Sequence, residues 1–545
     1  MLTNQHKVKI ALIFTALLAC YGLSLFKLYL IQIKHTGFFK QMGNQQYAVR
    51  ITATPERAVI YDRTGNQALA MNKDSISAFV VPNNLKDSAS LKAFLKKHFP
   101  QVLNRLAAQK DRPFMYIKRH LTPEQHQTIK DAHIQDIQFL KEPSRFYPVE
   151  STGPVIGMVD SDNQGAMGIE WYCNEQLAGT KSSYLLEQDA RSNHFYFKKE
   201  TETQGTQGVD VKLTLDSTLQ FLAYQELQKT ITEFNSTEGA VIIMNPENGD
   251  ILAMVNYPDF DANHTEQLDL ACTKNKIVTE TYELGSVMKT FFACSALAEG
   301  LVTPQTIVDC ENAKTVFMQG IRVNTWKAHG DLTFSEVIEC SNNIGTTKIA
   351  LQVDKKLYDH YKKWGFGEKT GISFPGEQKG FITHPSTWSR QSLASLSYGY
   401  EVRATLLQLA RAFCIIANNG LPIKPRILLS EAPQKGSEFL YPAHVMEQLR
   451  EILTRTITEG TAHKAHIKGY TVLGKTGTAN LLVDGKYCGD KNIFTFAGIV
   501  EKGSYKRVII TFIKEASKKN IYASTVAVPL FERIAEKMLI HERIL

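Results

Sequence analysis

A serine and a lysine three residues apart, Ser286 and Lys289, open an apolar run through Phe291, Phe292, Ala293, Cys294, Ala296 and Leu297 that ends at Gly300. Residues i and i+3 share one face of a helix, so a helix starting near Ser286 carries the amine to the hydroxyl. The orphan N–H groups and positive dipole end of that helix lie beside the serine. The helix is apolar nearly all round and is expected to be buried. Burial favours the neutral amine, which is what a base for a serine nucleophile requires. The spacing alone is weak evidence. At ~6% per residue type a chain of 545 residues holds ~2 such pairs by chance, and Ser24-Leu25-Phe26-Lys27 is one of them.

Two further patterns follow in order. Ser341-Asn342-Asn343 lies between Phe334–Cys340 and Ile344–Leu351, both helical in pattern. A second hydroxyl can relay a proton to a leaving amine, and the Asn343 amide offers a donor and an acceptor to a substrate amide or to Lys289. Lys475-Thr476-Gly477-Thr478 follows Tyr470-Thr471-Val472-Leu473, which reads as a strand edge. Such an edge can pair with an extended peptide while Lys475 and the threonine hydroxyls hold a terminal carboxylate. The small Gly477 permits close approach. Lys369-Thr370-Gly371 has the same letters but follows Trp364-Gly365-Phe366-Gly367 in a turn, and is discounted. Three short patterns in this order and setting are far more specific than any one of them.

The elements that must position them follow from periodicity. Val209–Leu215 reads as a strand, and Ala240–Met244 with Ile251–Tyr257 flank the turn residues Asn245-Pro246-Glu247-Asn248-Gly249-Asp250 as an antiparallel hairpin. Phe494–Val500 and Arg507–Ile513 form another strand pair, followed by an amphipathic helix from about Val528 to Ile540. Strands thus bracket a long, mainly helical middle, the pattern of an α+β domain whose sheet is closed by both ends of its segment. Residues 36–205 are a mixed region in which Thr122-Pro123-Glu124-Gln125 starts a helix running to about Ala132. His120, His126 and His133 around it have no carboxylate or cysteine at ligand spacing and read as solvated.

At the start, Lys7 and Lys9 precede an uncharged run from Ile10 to Phe26, and after Lys27 the apolar character continues to Ile33. As one helix this is ~36 Å long, enough to cross a bilayer with some tilt. Residues 1–9 then form a cytoplasmic leader, 10–33 a transmembrane anchor, and everything useful lies beyond the membrane. The stretch Leu17-Leu18-Ala19-Cys20 resembles a lipoprotein cleavage box, but the apolar run passes through it. The formal charge of +8 is spread along the chain, without a basic run interleaved with aromatics, so nucleic acid is not an expected partner. Eight scattered cysteines without a C-x-x-C pair give no support to a zinc or thioredoxin-type site.

With these motifs the chain resembles the class B penicillin-binding proteins. The likeness covers about Arg57 to Ala527, and rests also on Arg57-Ala58-Val59-Ile60-Tyr61-Asp62-Arg63-Thr64-Gly65, Arg145-Phe146-Tyr147-Pro148, Gly157, Gly168-Ile169-Glu170, residues 365–372, Tyr398-Gly399-Tyr400 and Leu407-Gln408-Leu409-Ala410. The short interval from Tyr257-Pro258 to Ser286, and Ile467-Lys468-Gly469-Tyr470 before the third motif, are most similar to the division-type, septal members. The resemblance implies an α+β penicillin-recognising serine transpeptidase domain over residues 206–545, an antiparallel sheet flanked by helices. It also implies an elongated mixed α/β pedestal over 36–205 and one transmembrane helix in the bacterial inner membrane. It implies a peptidoglycan D,D-transpeptidase in which Ser286 is acylated, Lys289, Ser341, Asn343 and Lys475 are catalytic, and Thr476, Gly477 and Thr478 bind substrate. The backbone N–H groups of Ser286 and Thr478 would form the oxyanion hole. Stem peptides and β-lactams are the implied ligands, a multi-span glycosyltransferase and division proteins the implied partners, with no cofactor and no metal. Alternatives are an elongation-type transpeptidase, a catalytically weak scaffold of the division machinery, and, further off, a serine β-lactamase. Leu284 stands where the family usually has proline, Glu401 where it has glycine and Leu406 where it has proline.

Overall fold

The computed structural model describes residues 4–544 apart from 54, 113, 189–194, 266–267, 484 and 518–520. Packing divides the chain into two compact units, one of residues 1–56 with 178–208 and the other of residues 57–177 with 209–545. The sequence pattern predicts a division near residue 205. By packing, residues 57–177 group with the C-terminal part of the chain.

The first unit holds the helix Asn4–Tyr29, continued by Leu30–Lys34. Together they make a 31-residue apolar stretch with its side chains exposed, long enough to cross a membrane. Beyond it lies a three-stranded antiparallel sheet with Ser182–Gln188 between Ala48–Ala53 and Phe195–Thr203.

In the second unit a five-stranded antiparallel sheet runs in the order Ile251–Tyr257, Glu238–Met244, Tyr505–Lys514, Lys486–Lys502, Thr471–Val483. The hairpin and the C-terminal strand pair read from the sequence are therefore neighbours in one sheet. Strand alternation sorts its side chains onto two faces. Val241, Ile243 and Ile509 pack with the helices Ser217–Phe234 and Ala523–His541. Ile242, Met244 and Ile510 pack with Phe291, Phe292 and Phe413. Both faces are covered, which is why these strands read as unbroken apolar runs. The strand Thr471–Val483 lies at the edge, with one side of its backbone free to pair with an extended chain.

Some expectations are corrected. The middle of the chain is mainly helical in its regular elements, as expected, but it also holds three two-stranded sheets that were not expected, Ile307–Asp309 with Asp331–Thr333, Thr315–Met318 with Ile321–Asn324, and Phe381–Ile382 with Val402–Arg403. Strands of two to four residues are too short to show a period of two. The run Val209–Leu215 forms a regular strand only at Val211–Lys212, parallel to Ile60–Tyr61. His120 is half-buried rather than solvated, and its Nδ1 has no hydrogen-bond partner among the described residues. The helix capped by Thr122 does form, as Pro123–Asp131 with a complete capping box.

Candidate active site

The Ser286 segment begins as a tight 3₁₀ turn, Gly285–Met288, that runs into the α-helix Lys289–Ala298. Residues 289–297 of that helix are all buried, and Phe291 sits edge-on to Trp364, Phe366 and Phe413. The core thus fixes the helix axis, and the turn presents half-buried Ser286 at its mouth.

Three backbones meet at this turn with almost no space between them. A Cβ on Gly477 would lie 2.4 Å from the Leu284 carbonyl oxygen and 3.1 Å from Val287 N. On Gly285, which has φ +60°, it would lie 2.6 Å from the Thr478 oxygen, and on Gly399 2.0 Å from the Gly285 oxygen. The edge strand and the residue 398–400 loop therefore clasp the nucleophile turn, and glycine is required on each surface. Asn480 N donates to the Tyr400 hydroxyl at 3.1 Å, so its N–H faces away from the sheet. By the two-residue period the N–H groups of Thr478 and Thr476 face the same open side.

Lys289 is fully buried, and its Nζ lies 2.7 Å from Ser341 O, 3.2 Å from Ser341 Oγ and 2.6 Å from Asn343 Oδ1. Asn343 Nδ2 donates to Asn324 O at 2.7 Å, which turns Oδ1 toward the lysine. Two of the three neighbours are pure acceptors and take two amine hydrogens. A neutral amine then has its lone pair for a hydroxyl. Desolvation, reinforced by the charge of Lys475, pushes the pKa of Lys289 well below its ordinary 10.5. Ser341 has φ +55°, a left-handed conformation that a side chain other than glycine adopts only under constraint.

Lys475 is also fully buried, with Nζ 3.3 Å from Thr476 O, and burial brings its pKa down to about 7. Thr476 Oγ1 shares a hydrogen bond with Thr461 Oγ1 at 3.0 Å, and Thr478 Oγ1 accepts from Ala523 N at 3.2 Å. A cleft of about 270 Å³ is lined by Ser286, Ser341, Asn343, Thr476 and Thr478 together with Trp326, Thr461, Tyr522, Ala523 and Ser524. The two lysines lie behind that wall.

The structure thus brings Ser286, Lys289, Ser341, Asn343, Lys475, Thr476, Gly477 and Thr478 into one place and leaves Lys369-Thr370-Gly371 elsewhere, with Thr370 bonded to Glu377. Trp326, Thr461 and Tyr522 are not predicted from the sequence. They come from segments remote in the chain and carry no motif. Cys340, beside Ser341, is half-buried with its thiol pKa raised chiefly by burial, which disfavours a reactive thiolate. All eight cysteines are free thiols. No group of three metal-ligating side chains occurs among the described residues.

The three substitutions noted in the sequence have distinct settings. Leu284 is buried and its carbonyl abuts Gly477. Glu401 has φ +59° and its N–H donates to Glu283 Oε1 at 2.8 Å. Leu406 is the first residue of the helix Leu406–Ala417, capped by a Thr405–Gln408 box, a position at which proline and leucine are both compatible with the helix.

A family model described as the penicillin binding protein transpeptidase domain matches residues 239–536, and one described as the penicillin-binding protein dimerisation domain matches residues 52–213. The chain is 28% identical over 544 residues to a probable peptidoglycan D,D-transpeptidase PenA of Neisseria meningitidis serogroup A, covering 98% of this chain and 92% of that protein. It is 26% identical over 491 residues to the peptidoglycan D,D-transpeptidase FtsI of Escherichia coli, covering 88% and 82%. Among solved structures, penicillin binding protein 3 of Mycobacterium tuberculosis complexed with aztreonam is similar at a TM-score of 0.68 and 24% identity, covering 91% of this chain and 98% of that one.

Proposed function

The chain belongs to the penicillin-binding protein transpeptidase family, and from that premise we propose that it cross-links peptidoglycan stem peptides through an acyl-enzyme on Ser286. Ser286 Oγ attacks the carbonyl of the penultimate D-alanine of a donor stem, its proton passing to the neutral amine of Lys289. The tetrahedral oxyanion is held by the backbone N–H groups of Ser286 and Thr478. Collapse breaks the terminal peptide bond, and Ser341 delivers the proton that leaves with D-alanine. An amine of a neighbouring stem then attacks the ester, a proton returns through Ser341 and Lys289, and Ser286 is released. The donor peptide lies as an added strand along Thr476–Thr478. Its terminal carboxylate meets the Thr476 and Thr461 hydroxyls with the charge of Lys475 behind them.

The observation that carries this reading is the sealed amine of Lys289, bonded to both members of the Ser341–Asn343 pair and one helical turn behind a serine that opens on the cleft. β-Lactams, which imitate the D-Ala-D-Ala end, acylate the same serine.

The test is fluorescent-penicillin labelling of the wild type beside Ser286→Ala, followed over hours. A stable adduct on the wild type alone is the expected result. An adduct that forms and soon disappears indicates a β-lactamase, and none on a folded protein a scaffold.

The same reading extends to place and partners. The Asn4–Lys34 helix anchors the chain in the cytoplasmic membrane, with residues 36–205 as a pedestal and 206–545 as the transpeptidase domain outside. It acts at the division septum beside a multi-span glycosyltransferase. This is supported by the apolar helix and by the likeness to FtsI. Protease accessibility of the C-terminal part in intact spheroplasts tests the orientation.

A further inference from the structure

The Ser341–Asn343 turn is held from outside by a single short segment. Asn324 O accepts from Asn343 Nδ2 at 2.7 Å, and Thr325 Oγ1 accepts from Asn343 N at 3.4 Å. Trp326 Nε1 donates to Cys340 O at 2.8 Å, and His329 Nδ1 lies 3.2 Å from Asn342 Nδ2. Every residue from Cys340 to Asn343 except Ser341 is bonded to this strap, and Ser341 is the one left with a positive φ.

The fourth contact has a defined polarity. Asn342 is fully buried and is the N-cap of the helix Asn343–Val353, its Oδ1 accepting from Gly345 N at 2.9 Å. A flipped amide would set NH₂ against that N–H, so the cap fixes the orientation, and Nδ2 is the group that faces the histidine. Nδ1 of His329 must then accept, and the neutral ring carries its proton on Nε2. A protonated imidazole has donors at both nitrogens and can only repel the Asn342 amide.

We propose that His329 is a positioning residue for the acylation of Ser286: by accepting from the buried Asn342 amide it holds the Ser341–Asn343 turn against Lys289, and its protonation releases that hold. The inference rests on the acyl-transfer reading above and adds to it a residue outside the three motifs. Burial and the neighbouring Lys327 charge lower the pKa of His329 from 6.5 and outweigh a hydrogen bond to the Lys327 backbone that acts the other way, so protonation and loss of the contact fall on the acid side. From the facing side, the backbone of Glu311 bridges His329, while the Glu311 carboxylate is tied to Lys348 at 2.6 Å.

The experiment measures the second-order rate of penicillin acylation across pH for the full chain in detergent, in three forms. His329→Leu removes the acceptor and should slow acylation at neutral pH by roughly ten- to a hundredfold, the size expected when a buried donor loses its partner. His329→Asn keeps an acceptor near the Nδ1 position without a titratable ring. It should acylate at close to the wild-type rate at neutral pH and retain that rate further into acid, because one proton has been removed from the acid limb. Lys289 titrates in all three forms and cancels from the comparison. Superimposable pH profiles for wild type and His329→Asn would overturn the proposal, and this comparison stands even if the leucine variant does not fold. Leucine and wild-type forms of equal rate would overturn it too. A wild type that takes up no penicillin at all overturns both this inference and the acyl-transfer reading, which separates the two kinds of failure.

Discussion

Two fully buried lysines face one reaction and need opposite charges. Lys289 accepts a proton from Ser286 and must be neutral, whereas Lys475 attracts a carboxylate and must be charged. Burial, with the charge of Lys475 added to it, holds the pKa of Lys289 well below 10.5. Lys475 carries its charge below about pH 7 and loses it above. Acylation by a carboxylate-bearing β-lactam should accordingly fall as pH rises through about 7, giving the alkaline limb of a bell-shaped profile. In Lys475→Met that limb should vanish, leaving a slower and flatter profile, and an unchanged alkaline limb would remove Lys475 from this role. The stability linkage has the opposite sense. Between about 7 and 10.5 the unfolded chain binds the proton that the folded one has released, so unfolding free energy from this group rises with pH across that window. At Lys289 the expected effect is on rate: Lys289→Met keeps the volume and removes the base, and labelling should slow by ~10²–10⁴-fold. Stopped-flow acylation kinetics on folded variant decide both.

At the scale of elements, catalysis depends on how closely the edge strand Thr471–Val483 meets the turn at Gly285–Met288. Gly477→Ala inserts a Cβ at 2.4 Å from the Leu284 carbonyl and 3.1 Å from Val287 N, both backbone atoms that cannot swing aside. Strand and turn must separate, and a shift of the order of 1 Å between reacting groups costs ~10²-fold in rate. Gly477→Ala should show at least that loss in acylation with a modest fall in unfolding midpoint. Gly489→Ala, on the neighbouring strand with nothing within 4 Å of its Cβ, should be silent. This element also shows what was legible in the sequence. The apolar runs 240–244, 251–257, 494–500 and 507–513 announced strands, and the buried face of 291–297 announced a helix, because burial writes itself into residue type. The motif residues were legible because chemistry restricts their types. Trp326, Tyr522 and Thr461 were not, since a cleft wall assembled from remote segments leaves no spacing to read. The short strands of residues 307–333 escaped for a related reason: Thr315–Met318 alternates exposed and partly exposed positions and Ile321–Asn324 buried and exposed ones, each over only four residues.

For the molecule as a whole, the family signatures that precede the catalytic sheet converge on one buried carboxylate. Glu170 receives Arg57 Nε at 2.7 Å and Arg145 Nε at 2.6 Å, and Arg57 also reaches Glu170 O and Asn174 Oδ1, both at 2.8 Å. The side chains of Arg57 and Glu170 are 2% and 0% exposed, so water cannot replace a lost partner. Three segments more than twenty residues apart are thus joined by a charge cluster that none of them could bury alone. Glu170→Ala strands two guanidinium groups in the interior, and removing one member of a buried ion cluster typically costs ~3–5 kcal/mol. The variant should unfold at correspondingly lower denaturant, while the fraction that remains folded takes up penicillin at the wild-type rate, because no member of the cluster lines the cleft. An unchanged midpoint would mean that the cluster relaxes to solvent. A slowed acylation in the folded fraction would mean that these segments govern the catalytic centre as well as hold the fold. Exchange of all three charges for apolar residues of similar volume separates the remaining possibilities. If stability then returns, the ion cluster selects this packing over others without being its main source of stability.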